Sequence, residues 1–397
     1  MLLALPYHQV TTTFFQTQPE VWQFFANITH KEEQIQQFKI DLLKNSYKFD
    51  SISDSVLYNK VDIAKEKLNM QTQVCLYQAE NSEEMNASVA YSGGEVHIIF
   101  SGKLIQLLSD EELLAIISHE LSHVQLFTQF EGKIEIADRI IKSISNNVNS
   151  TPAHYETARL FRLYTEIFCD RGAYQVTGNY NGIISALVKM STGLPSVNAD
   201  NYIKQAEEIF SMDGNVKTAG VTHPENFIRA RAISLWQAKG NDANSDIQEM
   251  IEGNIGLDEL DIFRQQHLSS ITEKIIKLIM QPRWMQSPLT ISLSKQYFPS
   301  IQYHELVDHN ELLSPIERLH SNLQDYLAYV LYDFATADKE LEDLPLGHCF
   351  YIAEELKLNQ NFLAAVKKEY KLTDKKVSLL KQRAIAEYNK QKDILTV

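Results

Sequence analysis

Residues 109–130 read SDEELLAIISHELSHVQLFTQF, and the rest of the chain is organised around this stretch. Ser109 followed by Glu112 has the pattern of a capping box, which predicts a helix start. Leu113, Ile116, Ile117, Leu121, Val124 and Phe127 recur at helical period and predict a face turned to a core. Into that helix is set His119-Glu120-Leu121-Ser122-His123. Side chains four apart share a helix face, with Cβ atoms about 5–6 Å apart, so two imidazoles can converge on one metal ion. Glu120, one step round the helix, can stand beside such an ion without ligating it. Two exposed histidines on a helix would give the same letters, so the pentapeptide needs its setting. Glu120 abuts the apolar side, where an uncompensated carboxylate would be costly, and that favours metal.

The arrangement is the H-E-x-x-H of a zinc-dependent hydrolase, with Glu120 placed to take a proton from bound water. A further ligand must come from elsewhere. The run PAHYETARLFRLYTEIFCDRGAYQVT, 152–177, predicts a long helix opened by Pro152 and stopped by Gly178. Glu166 and Asp170 lie four apart on it, inside an apolar segment that disfavours free solvation. One carboxylate can complete a zinc site and the other can hold the N–H of a ligating histidine. Glu166 is the favoured ligand, Asp170 the favoured outer partner, and Cys169 between them is read as packed. A metzincin site would need Gly and His where this chain has Leu126 and Gln129, so that scheme is rejected.

Composition sets the frame. The chain has 397 residues, 44% of them hydrophobic and 22% charged, which is ordinary for a globular protein of two or three domains. A net charge of −14 argues against nucleic acid or an anionic membrane as the main partner. No apolar run reaches the roughly 18 residues of a spanning helix, and no stable membrane insertion is expected. The start, MLLALPYHQVTTTFF, lacks a basic n-region and a small-residue cleavage site, so it is a poor signal peptide. Cys75, Cys169 and Cys349 are odd in number and far apart, which suits a reducing compartment; a cytoplasmic location is expected.

Along the chain, 19–70 reads as two or three helices, and 74–77 as a short strand. NASVAYSGGEVHIIFSG, 86–102, predicts two strands turned at Ser92-Gly93-Gly94, with His97 a surface residue. A second helix is expected at about 132–145. AGVTHPENFIRARAISLW, 219–236, puts His223 at the head of another helix that carries Arg229 and Arg231. His223 is either a plain helix-start residue or an oxyanion donor facing the cleft. KGNDANS, 239–245, suits a domain boundary, and beyond it the chain is mostly helical apart from a Pro-punctuated region near 282–300. The tail has slight TerB-like similarity. Ala335, Ala337 and Lys339 break any EF-hand pattern, so no metal is assigned there.

NASVAYSGGEVHIIFSGKL, SDEELLAIISHELSHV, TEIFCDRGA and VTHPENFIRAR, in this order, resemble the gluzincin metallopeptidase family of HtpX and the CAAX prenyl endopeptidase. The resemblance covers about 75–235. It implies His119, His123 and Glu166 as ligands of one Zn2+ per chain and Glu120 as general base. It also implies Asp170 as the acid orienting a ligand and His223 as a histidine near substrate. The membrane helices of those relatives are not found here, and EVHIIF is more polar than their strand, so a membrane substrate and their cleavage preference are not carried across. The expected fold is α+β and mainly helical. A zincin-like domain with a small sheet spans 1–240, with a helical part at 1–70 and the catalytic core at about 75–235. A helical C-terminal domain at 246–397 is a regulatory or interaction module for a protein partner. The expected function is a zinc metalloendopeptidase acting on peptides or proteins; the alternative is a zinc-binding scaffold that keeps the site with little turnover.

Overall fold

The computed structural model describes residues 2–27, 32–214, 216–253, 255–303 and 307–395. The fold is mainly helical with one small sheet, and it divides into two compact units, Met1–Gly253 and Asn254–Val397.

The first unit begins with α1 (Pro6–Gln16), α2 (Pro19–Ala26), α3 (Glu32–Lys44), β1 (Ser46–Lys48) and α4 (Ser55–Leu68). Then come β2 (Gln73–Ala79), β3 (Asn86–Ser92), β4 (Glu95–Ser101) and the short α5 (Leu104–Leu107). Strand order is β1-β2-β4-β3, with β2 and β4 parallel and both outer pairs antiparallel. The β3–β4 hairpin closes on Gly93 and Gly94 at φ 61° and 79°, which a two-residue turn of type I′ requires of both central residues. Val96, Ile98 and Phe100 are fully buried and form one core with α4 and the start of α6.

Two features of this region were not legible from the local pattern. Just after the apolar start of the chain, Pro6–Gln16 form a helix, α1, with Tyr7, His8, Thr11, Thr12 and Phe15 buried. His97, expected at the surface, is 1% exposed. The second face of the sheet is covered: Phe38 of α3 meets the His97 ring edge-on at 5.5 Å, and Tyr77 Oη lies 3.2 Å from its Nδ1.

Helix α6 (Asp110–Ser145) starts with the capping box, Ser109 N–H donating to Glu112 Oε2 at 2.7 Å. Leu113, Ile117, Leu121 and Val124 are buried as their spacing requires. The helix is not continuous. Gln129 is extended, and Phe130, Glu131 and Gly132 all take positive φ (52°, 59° and 79°), an elbow between two helical halves. Left-handed backbone costs an ordinary L-residue about 1–2 kcal/mol, so two such residues in succession must be held by their surroundings. Gln129 supplies part of the hold: its Oε1 accepts Ala4 N–H at 3.0 Å and its Nε2 donates to Leu2 O at 2.9 Å.

Helix α7 (Pro152–Thr177) ends at Gly178 in the left-handed conformation, and α8 (Asn181–Thr192), α9 (Ala199–Met212), α10 (Asn226–Lys239) and α11 (Asn244–Glu252) follow. The polar stretch 239–245, read as a boundary, lies inside the first unit. Polarity there serves anchoring: Asn244 Oδ1 accepts from Arg171 at 2.8 Å, and Lys239 Nζ donates to Asp246 Oδ2 at 2.6 Å. The compact unit closes only after α11.

The second unit holds α12 (Ile262–Ile279), α13 (Pro288–Tyr297), α14 (His309–Glu317), α15 (Ser321–Thr336), α16 (Leu344–Glu355), α17 (Asn359–Glu369) and α18 (Asp374–Leu395) around one core. The Pro-punctuated region thus contains a helix, opened by Pro288 with Ser287 as its cap. Among the described residues no helix is long and apolar enough to cross a membrane.

Candidate metal centre

The centre is assembled where α6 and α7 come unusually close. Gly172 faces Ser122, and a Cβ at position 172 would stand 1.9 Å from Ser122 Oγ. Only a missing side chain permits that approach, which brings Glu166 on α7 against the histidine face of α6. His119 and His123 meet with ring centroids 5.1 Å apart. Glu166 lies between them: Oε2 is 3.4 Å from His119 Nε2, and Oε1 is 3.7 Å from His123 Nε2. Glu166 Oε2 is buried and accepts no hydrogen bond.

Behind these groups stands Asp170. A carboxylate can only accept, so His119 Nδ1–H donates to Asp170 Oδ1 at 3.0 Å and the Nε2 edge is turned to Glu166. Arg229 of α10 closes the bracket, donating from Nε at 2.8 Å and Nη2 at 2.6 Å to the two Asp170 oxygens. Its Nη2 is also 3.6 Å from Glu166 Oε2.

Charge and burial set the protonation states. Burial opposes a charge on His119, but the hydrogen bond it donates to Asp170 and the neighbouring Glu166 carboxylate outweigh it and raise its pKa to about 10. His123 goes the other way: burial dominates and lowers it to about 4. Burial raises the Glu120 carboxyl to about 7, whereas Glu166 and Asp170, although buried, are held below the usual carboxylate range by their cationic neighbours.

The donor set suits a divalent cation. Glu166 and Asp170 contribute two negative charges and Arg229 returns one. A cation between the two Nε2 edges would take the place of a proton on His119 and meet the orphaned Glu166 Oε2. Cys169 is a second potential donor, since its Sγ and one nitrogen from each of His119 and His123 lie within 4.8 Å of one another. The thiol is fully buried and burial drives its pKa well above the ordinary value, so the ionised Glu166 is the better prepared ligand.

His223 faces the same place from the loop before α10. Its Nε2 is 3.6 Å from Glu166 Oε1, and its ring is 60% exposed. The loop is pinned by Glu225, which accepts from Thr218 Oγ1 at 2.6 Å and from Ala219 N at 3.0 Å. His97, by contrast, lies among Tyr77 and Phe38 and does not line the cleft.

The centre opens into a cleft of about 1120 Å³. Strand β3 forms one wall and α8 contributes Ile183, Leu187 and Met190; Glu135, Asp138, Arg139 and Lys142, beyond the elbow of α6, also line it. Sequence reasoning placed Arg229 on its helix without a role. The signal was there: an acid such as Asp170 on an apolar helix face demands a cation.

Residues 55–237 match the profile of Peptidase family M48. This segment is a peptidase family M48 domain. It runs from the start of α4 into α10, and every residue of the centre falls within it. The chain is also similar to the Arabidopsis thaliana protein named "Plastoglobule-localized metallopeptidase 48, chloroplastic", with 26% identity over 212 residues. That alignment covers 47% of this chain and 61% of the relative, so the chain spans about three fifths of the relative's length. The M48 domain accounts for most of the first unit; α1 to α3, α11 and the second unit lie outside it.

Proposed function

We propose that the chain is a zinc-dependent endopeptidase acting on peptides or proteins. In this reading His119 and His123 hold zinc through Nε2 and Glu166 through its carboxylate, one ion per chain. The observation that carries it is the buried Glu166 Oε2, without a hydrogen-bond partner yet 3.4 Å from His119 Nε2. Bound zinc supplies an acidified water and polarises the scissile carbonyl. Glu120 accepts a proton at its carboxylate and returns it to the leaving amine. Asp170 fixes the His119 tautomer, and Arg229 keeps Asp170 ionised and in place. His223, on its pinned loop and with Nε2 toward the cleft, donates to the developing oxyanion. The three cysteines are buried and unbridged, which supports a reducing compartment such as the cytoplasm. The second unit, outside the M48 domain, is proposed as the interaction module.

The test is Glu120→Gln. An amide keeps the volume but accepts no proton at neutral pH. Zinc content, about one per chain, and melting temperature should stay at the wild-type level, while cleavage of a peptide library falls about 10²–10⁴-fold. Loss of zinc with the activity would give Glu120 a structural role, and unchanged cleavage would remove it as the base. Glu166→Ala should lose most of the zinc; full retention would refute it as a ligand.

A further inference from the structure

The elbow in α6 is strained, buried in part, and placed in the wall of the cleft. Its position is unexplained by the metal centre, which needs only the first half of the helix. Without the elbow, the helix axis would carry 133–145 straight on from Thr128. With it, Glu135, Asp138, Arg139 and Lys142 line the same cavity as His119 and His123. These four form two pairs, Arg139–Glu135 at 3.6 Å and Lys142–Asp138 at 2.6 Å, so the far wall is charged.

Left-handed backbone at Phe130 and Glu131 persists only if something outside the helix holds it. Gln129, 9% exposed, spends both ends of its amide on the N-terminal segment, at Ala4 N–H and Leu2 O. The same segment is anchored on α7, where the Tyr7 and Tyr164 rings stack at 5.1 Å. On the other side of the elbow, Arg139 donates to Phe25 O of α2 at 3.2 Å. The N-terminal helices therefore grip both sides of the elbow.

We propose that Gln129 is a positioning residue that sets the elbow, and through it makes the cleft a reader of extended peptides. From His123 to Thr128 the helix advances about 7.5 Å, and the charged wall begins beyond that. At about 3.3 Å per residue, a strand-like substrate reaches this wall only three or more residues from the scissile bond. Short peptides touch the metal centre alone; long ones also meet the charged wall. The proposal rests on the peptidase reading, but part of its test does not.

The experiment compares wild type, Gln129→Ala and Gln129→Glu on a ten-residue and a four-residue fluorogenic peptide. Gln129→Glu keeps the acceptor for Ala4 N–H and loses the donor to Leu2 O. For the long peptide KM should rise about tenfold in Gln129→Ala and less in Gln129→Glu, with kcat nearly unchanged. The short peptide should be cleaved as by wild type. An equal loss on both peptides, or none on either, overturns the proposal. Hydrogen exchange of the wild-type protein is independent of activity and of whether a variant folds. The amides of 133–145 should exchange together with that of Ala4 and ahead of those of 113–128. Exchange of both halves of α6 as one unit would sink the elbow as a separately held element. A wild type that cleaves neither peptide would fail the peptidase reading while leaving that exchange result to stand or fall alone.

Discussion

His8 shows what burial does to a single titratable side chain. It is wholly inaccessible, and its Nε2 lies 3.2 Å from Thr165 Oγ1. The Thr165 hydroxyl already donates to Phe161 O, so the histidine must be the donor, leaving a bare Nδ1 that accepts nothing. Burial pushes its pKa down from 6.5 to about 3. The unfolded chain takes up a proton below 6.5 and the folded one does not, so the stability this histidine contributes is intact above 6.5 and is lost as pH falls toward 3. The slope from one proton is about 1.4 kcal/mol per pH unit. Denaturant titrations from pH 7 to 4 should show wild type losing stability more steeply than His8→Gln by up to that amount. Parallel curves would mean that His8 already carries its proton in the native state. Arg229 makes the complementary point at this scale. Its charge is buried but matched on two sides by carboxylate oxygens, and that match is invisible along the chain because Asp170 is 59 residues away.

At the scale of elements, the contact between α6 and α7 decides whether a metal centre exists. Gly172→Ala must push the helices apart or displace Ser122, since its Cβ would also fall 2.7 Å from Ser122 Cβ. Overpacking of this kind costs about 1–3 kcal/mol. The variant should melt earlier and bind zinc more weakly, because Glu166 and the two histidines sit on opposite sides of the widened seam; Ser122→Gly in the same chain should restore both. Retention of zinc affinity in Gly172→Ala, measured by competition with a chelator, would show that the seam does not control the ligands. The helices themselves were readable because their signals are local: the Ser109–Glu112 box, the apolar period of 113–127, and Gly178 as a stop. The hairpin was readable from Gly93-Gly94 for the same reason. What sequence could not show was cover. His97 alternates as a solvent-facing strand residue should, yet α3 folds over it. The elbow at 129–132 likewise has one glycine and no proline, and depends on contacts with residues 125 or more positions earlier.

For the whole molecule the boundary matters. Polar letters at 239–245 suggested a linker, but Ile247, Met250 and Ile251 are buried in the first unit, and Glu252 accepts from the Tyr164 hydroxyl. A fragment 1–253 should therefore unfold cooperatively. A fragment 1–245 gives up three buried apolar side chains, a loss on the order of 5 kcal/mol. It also gives up the Met250 carbonyl that holds Thr218, at the root of the loop bearing His223. Equal urea midpoints for the two fragments would contradict this. The spread of the centre along the chain has a consequence in time as well. His119 and Arg229, whose side chains come within 3.5 Å, are 110 residues apart. At a synthesis rate of about 5–20 residues per second, roughly 5–20 s separate their departure from the ribosome. During that interval the nascent chain carries both histidines while the arginine that secures Asp170 has yet to be made. On the proposed zinc reading, ion selection by the completed bracket waits until α10 has left the ribosome, and whatever the half-built pair captures first must be exchanged or kept once α10 arrives.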